Sequence, residues 1–373
     1  MNMEITGILW IIPLLVLVAT LLIAVKLVKG GSSILSGIIG IFLVITLVAV
    51  LLVPTIEQYE EPSKQIAPKW EYDDYYQIEG LENASGSLEV TTLGDVQYLH
   101  VKSVGAGEYT ADGSTYTVTT TKAPLDVFLI AGQSNAQYNP GSELGDADPV
   151  PSPGTAYYYG LSTRPISMGN TTQAAAYDAT QYDIFMSVNS DGSNRVGNIE
   201  GPFSARYYEA TGHKVLTINT GVGGSSITSW IDNGVCYTFA KAAFSDAMDK
   251  VDTALFDISV RSFFWIQGEA NVYMGVDTYV GDFTQIYNNL TTFEFNQDYK
   301  FTYALISQTR DGKNAATAQQ TLADKPGIFM ASTAANTFTV DNGLLRTDGL
   351  HYTQKGDNIL AKDFATLCIK LWS

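Results

Sequence analysis

Asp126-Val127-Phe128-Leu129-Ile130-Ala131-Gly132-Gln133-Ser134-Asn135-Ala136 is the stretch on which the reading of this chain turns. Six residues of almost unbroken apolar character, ended by a glycine and then by short polar side chains, read as a strand buried on both faces and feeding a tight turn. The same pattern recurs downstream. Lys214–Asn219 runs to Gly221, Val260–Ile266 runs to Gly268, and Phe301–Ile306 runs into polar sequence. Helical periodicity falls between these runs, over Pro202–Thr211, Phe239–Ala254, Tyr279–Asn289 and Gln354–Leu371. Strand and helix in alternation predict a three-layer α/β/α sandwich around a parallel sheet over residues 123–373. In such a sheet the chemistry belongs beyond the carboxyl ends of the strands. The stretch Gln137–Gly197, rich in Gly, Pro, Ser, Asn and Tyr, reads as a long functional loop or insertion beside the site.

Upstream the pattern changes. Residues 71–122 hold short alternating runs, Ser87–Thr91, Val96–Val101 and Thr115–Thr119, separated by Leu93-Gly94-Asp95, Gly105-Ala106-Gly107 and Ala111-Asp112-Gly113-Ser114. That is the signature of a small antiparallel β module. Residues 57–70 read as a linker. Within residues 1–56, Ile5–Val25 and Ser32–Ile56 carry no charged residue, and each is long enough for a membrane-crossing helix of about 20 residues. The expectation is a transmembrane helical hairpin. Lys26 and Lys29 lie between the spans and Glu57, Glu60 and Glu61 follow them, so the positive-inside rule puts the C-terminal body on the extracytoplasmic side of the membrane.

The formal net charge of −17 argues against nucleic acid and anionic lipid headgroups as partners. Cys236 and Cys368 sit in no C-x-x-C pair and, with so few histidines, make no zinc signature; no cofactor is expected, and the two cysteines read as separate buried thiols or as one disulfide. Of the three histidines, His100 sits on an alternating strand and reads as structural, and His213 precedes a strand at a turn and reads as exposed.

Four segments carry chemistry. Ser134, at a strand-to-helix turn, suits a nucleophile or a helix N-cap. In Asp348-Gly349-Leu350-His351 the carboxylate can accept Nδ1–H of the imidazole and leave Nε2 to take a proton from a serine. The glycines of Asn219-Thr220-Gly221-Val222-Gly223-Gly224-Ser225-Ser226-Ile227, with Trp230 following, let backbone N–H groups approach an anion; without Gly-Lys-Ser/Thr this suits an oxyanion hole better than a phosphate. In Trp265-Ile266-Gln267-Gly268-Glu269-Ala270-Asn271 the Gln267 amide can donate to an oxyanion, and Glu269 can brace loops or bind substrate hydroxyls.

In this order the four segments resemble the SGNH-hydrolase superfamily, and more narrowly its sialate O-acetylesterase and carbohydrate esterase family 6 branch. The resemblance spans residues 125–373. It implies a flavodoxin-like fold and metal-free, two-step hydrolysis of O-acetyl groups on carbohydrate, such as acetylated polysaccharide or sialic acid. It further implies Ser134 as nucleophile, His351 as general base then acid, and Asp348 as its orienting carboxylate. The oxyanion hole would comprise the N–H groups of Ser134 and of Gly223 or Gly224 with the Gln267 amide. Asn135, Glu269, Asn271 and Trp230 would support the site or the substrate. Ala136 stands where many members have Met. Tyr138, Tyr157, Tyr158, Tyr159, Trp230 and Tyr273 are candidates for stacking on sugar rings. Two other readings are an acyltransferase, lipid or peptide esterase with the same triad, and a surface adhesion or assembly protein whose hydrolase-like domain only binds glycans.

Overall fold

The computed structural model describes residues 69–137, 146–187, 198–292, 300–310 and 313–372. The expected membrane hairpin and nearly all of the linker lie outside these residues. Among the described residues no helix is long and apolar enough to cross a membrane.

The first seven strands are β1 (Trp70–Glu71), β2 (Tyr75–Tyr76), β3 (Leu81–Gly86), β4 (Leu88–Leu93), β5 (Val96–Val101), β6 (Gly105–Ala111) and β7 (Ser114–Thr121). They form two small sheets, ordered β1-β7-β6-β3 and β2-β5-β4. Pairing is antiparallel except between β1 and β7. Leu81, Leu88, Leu99 and Val101 form the buried apolar cluster of this module.

The body is built on β8 (Ala123–Gly132), β9 (Ala156–Leu161), β10 (Arg164–Pro165), β11 (Asp183–Met186), β12 (Lys214–Asn219), β13 (Phe256–Ile266), β14 (Tyr303–Ser307) and β15 (Ile328–Ser332). The helices are α1 (Thr171–Ala175), α2 (Glu200–Thr211), α3 (Val235–Lys250), α4 (Val276–Thr291), α5 (Asn314–Ala323) and α6 (Gln354–Trp372). The sheet order is β10-β9-β12-β8-β13-β14-β15, with β11 also on β9. All pairings from β9 through β15 along this path are parallel.

Taken alone, β12-β8-β13-β14-β15 has the flavodoxin-like order 2-1-3-4-5. To it β9 adds a further parallel strand beyond β12. Side chains of β8 alternate between two core layers. Leu125, Val127, Leu129 and Ala131 pack with residues of α3, α4 and α5, and Phe128 and Ile130 with residues of α2 and α6. This is the three-layer arrangement, and it explains why β8 carries no polar face. Cys236 and Cys368 are free buried thiols, one in each of these layers.

Of the reading of Gln137–Gly197 as loop or insertion, the loop half is corrected. The stretch contains β9, whose Ala-Tyr-Tyr-Tyr-Gly core is buried, together with β10, β11 and α1. A run of tyrosines has neither the aliphatic character of an interior strand nor a period of two, so its burial is set by β12 alongside it.

Candidate active site

Gly132 ends β8 at φ +141°, and a Cβ there would come to 2.0 Å from the carbonyl oxygen of Ile266. Only glycine lets the two central strands run this close while the chain turns. The turn that follows is closed by Ala136 N–H on Gln133 O at 2.9 Å. Gln133 is buried and tied to the β13 loop: its Oε1 accepts from Ala270 N–H at 3.0 Å and Gly268 N–H at 3.4 Å. Ser134 is thereby presented to a cleft of about 550 Å³, lined also by Gln137, Gly169, Gly223, Gly224, Glu269, Leu350 and His351.

The Asp348–His351 turn is held by its own carboxylate. Asp348 Oδ1 accepts from the N–H groups of Leu350 (2.8 Å) and His351 (2.9 Å), and Oδ2 lies 2.7 Å from His351 Nδ1. Gly349 supplies the positive φ, +67°, that so tight a turn requires. Partial burial raises the Asp348 carboxyl, but His351 and the two backbone N–H groups outweigh it and bring it down to about 2. An anion there fixes the proton on Nδ1 and leaves Nε2 as the basic nitrogen.

Asn135 joins the two halves of the cleft. Its Nδ2 donates to Glu269 Oε1 at 2.7 Å and more weakly to Leu350 O at 3.4 Å, while its Oδ1 accepts from Tyr352 N–H at 3.2 Å. Tyr352 donates its hydroxyl to the same Glu269 oxygen at 3.3 Å. Beneath the turn, Asn219 Nδ2 donates to Ala136 O at 2.9 Å and to the buried carboxylate of Glu200. Burial pushes the Glu200 carboxyl up to about 8, against the lowering effect of Asn219 and Thr217.

Three expected roles are corrected. Gln267 is 1 % exposed, and its Nε2 donates to Asn271 Oδ1 (2.6 Å) and Ser225 O (3.3 Å). Both amide hydrogens are therefore committed, and Gln267 braces the glycine loop rather than facing the oxyanion position. The Gly223 N–H is likewise spent on Met168 O at 2.8 Å. Among the described residues, the N–H groups of Ser134 and Gly224 have no such partner. Trp230 is buried, with Nε1 on Ser225 Oγ at 3.1 Å and its ring edge-on to Trp265. It holds the loop and offers no face to a sugar. Asn271 also supports that loop, accepting from Ile227 N–H at 2.9 Å and donating to Ser226 Oγ at 2.9 Å.

Of the aromatic candidates, Tyr157, Tyr158 and Tyr159 are buried in β9, Tyr138 lies outside the described residues, and Tyr273 is 80 % exposed with Lys313 Nζ 4.7 Å from its ring centre. His213 is half-buried and contacts Asp126 at 3.1 Å. Gln137 and Gly169 line the cleft without having been singled out in the sequence. Gln137 directly follows the quoted motif, and Gly169 is delivered by the Met168–Val222 bridge, which no local pattern announces.

The family model described as "Carbohydrate esterase, sialic acid-specific acetylesterase" matches residues 124–370. The chain belongs to this family. It is a carbohydrate acetylesterase, a carboxylic-ester hydrolase. No curated protein matches the chain. Among solved structures, one from Arabidopsis thaliana is 14 % identical, covers 67 % of this chain and 100 % of its own, and has a TM-score of 0.46. A carbohydrate acetylesterase from Xanthomonas citri is 15 % identical, covers 79 % and 71 %, and has a TM-score of 0.41. An acetyl xylan esterase from Geobacillus stearothermophilus is 12 % identical, covers 66 % and 96 %, and has a TM-score of 0.34.

Proposed function

We propose that this carbohydrate esterase removes O-acetyl groups from a glycan through an acyl-enzyme on Ser134. The observation that carries the reading is the opening of Ser134 and His351 onto one cleft while Asp348 holds His351 Nδ1. In the first step Ser134 Oγ attacks the acetyl carbonyl and its proton passes to His351 Nε2. The N–H groups of Ser134 and Gly224 stabilise the oxyanion, and His351 then protonates the departing sugar oxygen, which leaves as a hydroxyl. In the second step His351 takes a proton from water, the hydroxide equivalent attacks the acyl-serine, and acetate leaves as Oγ is reprotonated.

Glu269 lines the cleft, but its Oε2 is shielded from solvent without a hydrogen-bond partner among the described residues, so its carboxylate serves to brace Asn135 and Tyr352 rather than to meet a sugar hydroxyl. Tyr273 is the aromatic candidate left exposed to stack on a ring. The two uncharged spans within residues 5–56 support a membrane hairpin with the esterase on the extracytoplasmic side.

Acetate release from acetylated xylan, O-acetylated sialic acid and p-nitrophenyl acetate, beside Ser134→Ala, tests the chemistry. Loss of activity in the variant is expected. Absence of acetate release from every ester, together with no labelling by a fluorophosphonate, removes the serine-esterase reading. Resistance of the full chain to alkaline carbonate extraction, with the body digested by protease added outside intact cells, tests the anchor.

A further inference from the structure

A second cleft, of about 460 Å³, opens where the β module meets the body. Tyr75 and Tyr98 of the module and Tyr208 of α2 line it, beside Gln77 and Ser152. It lies at the start of the parallel strands, since Thr155 precedes β9 and Lys214, the first residue of β12, reaches the carboxylate of Asp74 on its wall at 2.8 Å. Ser134 follows the opposite end of β8, a strand of 10 residues, so the two clefts are separated by on the order of 30 Å of sheet.

Resting on the carbohydrate-esterase reading, we propose that this cleft is a secondary glycan-binding site that holds a neutral polysaccharide chain while the distant cleft deacetylates it. The chemistry on its walls favours that occupant. The rings supply flat apolar faces suited to the C–H faces of a pyranose. The Tyr98 and Tyr208 hydroxyls and the Gln77 and Ser152 side chains have no hydrogen-bond partner among the described residues, which leaves them for sugar hydroxyls. Among the described residues the lining of this cleft includes no lysine or arginine, and Lys214 Nζ, which reaches its wall, is buried and committed to Asp74 and to Gly154 O at 2.7 Å, so the walls themselves offer an anionic ligand no free cation.

The site is also built in advance. Tyr75 stacks on His100 at 4.3 Å between ring centres, and Tyr98 meets Tyr75 edge-on at 5.9 Å. His100 is itself clamped between Asp73 (2.7 Å) and Glu89 (2.9 Å). Rings fixed before binding lose little freedom on binding.

The test is affinity electrophoresis of the full chain, purified in mild detergent, through gels containing deacetylated xylan, glucomannan or galactan. The expected result is retardation by at least one polymer, retained in Ser134→Ala and weakened about tenfold in Tyr98→Ala/Tyr208→Ala. Hydrolysis of p-nitrophenyl acetate and the unfolding midpoint of the double variant should match wild type, while its KM for the acetylated form of the retained polymer rises and kcat holds. Should the alanine variant fold poorly, Tyr98→Phe/Tyr208→Phe keeps the rings and removes only the hydroxyls, and weakened retardation is still expected. No retardation by any of the polymers, or retardation unchanged in the tyrosine variants, overturns the proposal. Tyrosine-dependent retardation in a protein that releases no acetate upholds this cleft and removes the esterase reading instead.

Discussion

Asn135 Nδ2 lies 2.7 Å from Glu269 Oε1, and through this contact the turn after β8 and the turn after β13 hold each other. Because Asn135 also accepts from Tyr352, next to His351, one side chain sets the approach of the Ser134 turn to the imidazole. Asn135→Ala should lower kcat on p-nitrophenyl acetate by about 10- to 100-fold and cost about 1–3 kcal/mol of stability by orphaning the Tyr352 N–H and leaving Glu269 Oε1 with the longer Tyr352 hydroxyl bond alone. A variant with wild-type kcat would show that the two turns keep their relation without it.

Asp348→Asn retains the shape of the turn but offers the imidazole no anion. A kcat loss on the order of 10³- to 10⁴-fold is expected, with little change in KM. Since the carboxyl stays ionised down to about pH 2, the acid limb of the wild-type rate profile should report a single ionisation, that of the base. Two ionisations on that limb would contradict the assignment.

Gln267→Ala separates bracing from oxyanion stabilisation. Its amide and carbonyl are fully engaged, the carbonyl by the Tyr279 hydroxyl at 2.8 Å. The variant should lose about 2–4 kcal/mol of stability. Its kcat, measured well below the lowered unfolding midpoint, should fall less than the roughly 10²- to 10³-fold that loss of an oxyanion donor brings. A drop of that larger size with an unchanged midpoint would restore Gln267 to the oxyanion hole.

Glu200 couples the fold to pH. Its ordinary value of 4.5 applies in the unfolded chain and about 8 in the native one, so the native state binds the proton more tightly. The stability this provides is complete below pH 4.5 and is lost as pH rises toward 8, on the order of a few kcal/mol across the window. Glu200→Gln keeps a neutral side chain at every pH, and its unfolding free energy should lack this decline. Denaturant titrations across that range decide the matter; parallel slopes for the two proteins would place the carboxyl's titration elsewhere.

Local pattern determined much of this protein. The interior strands β8, β12 and β13 and the helices between them announce themselves because a strand covered on both faces must be apolar throughout, and the α/β class follows. The Asp348–His351 hydrogen bond was legible too, because three residues around a glycine confine both partners to one turn. Tertiary structure decided what depends on distant chain. The tyrosines of β9 look like loop residues until β12 lies beside them. Likewise nothing local says that Met168 consumes the Gly223 N–H, that Asn271 and Ser225 consume the Gln267 amide, or that Ser225 holds the Trp230 indole. A hydrogen-bonding group has a fixed capacity, and whether any is left for a substrate depends on every neighbour that folding brings within about 3 Å of it.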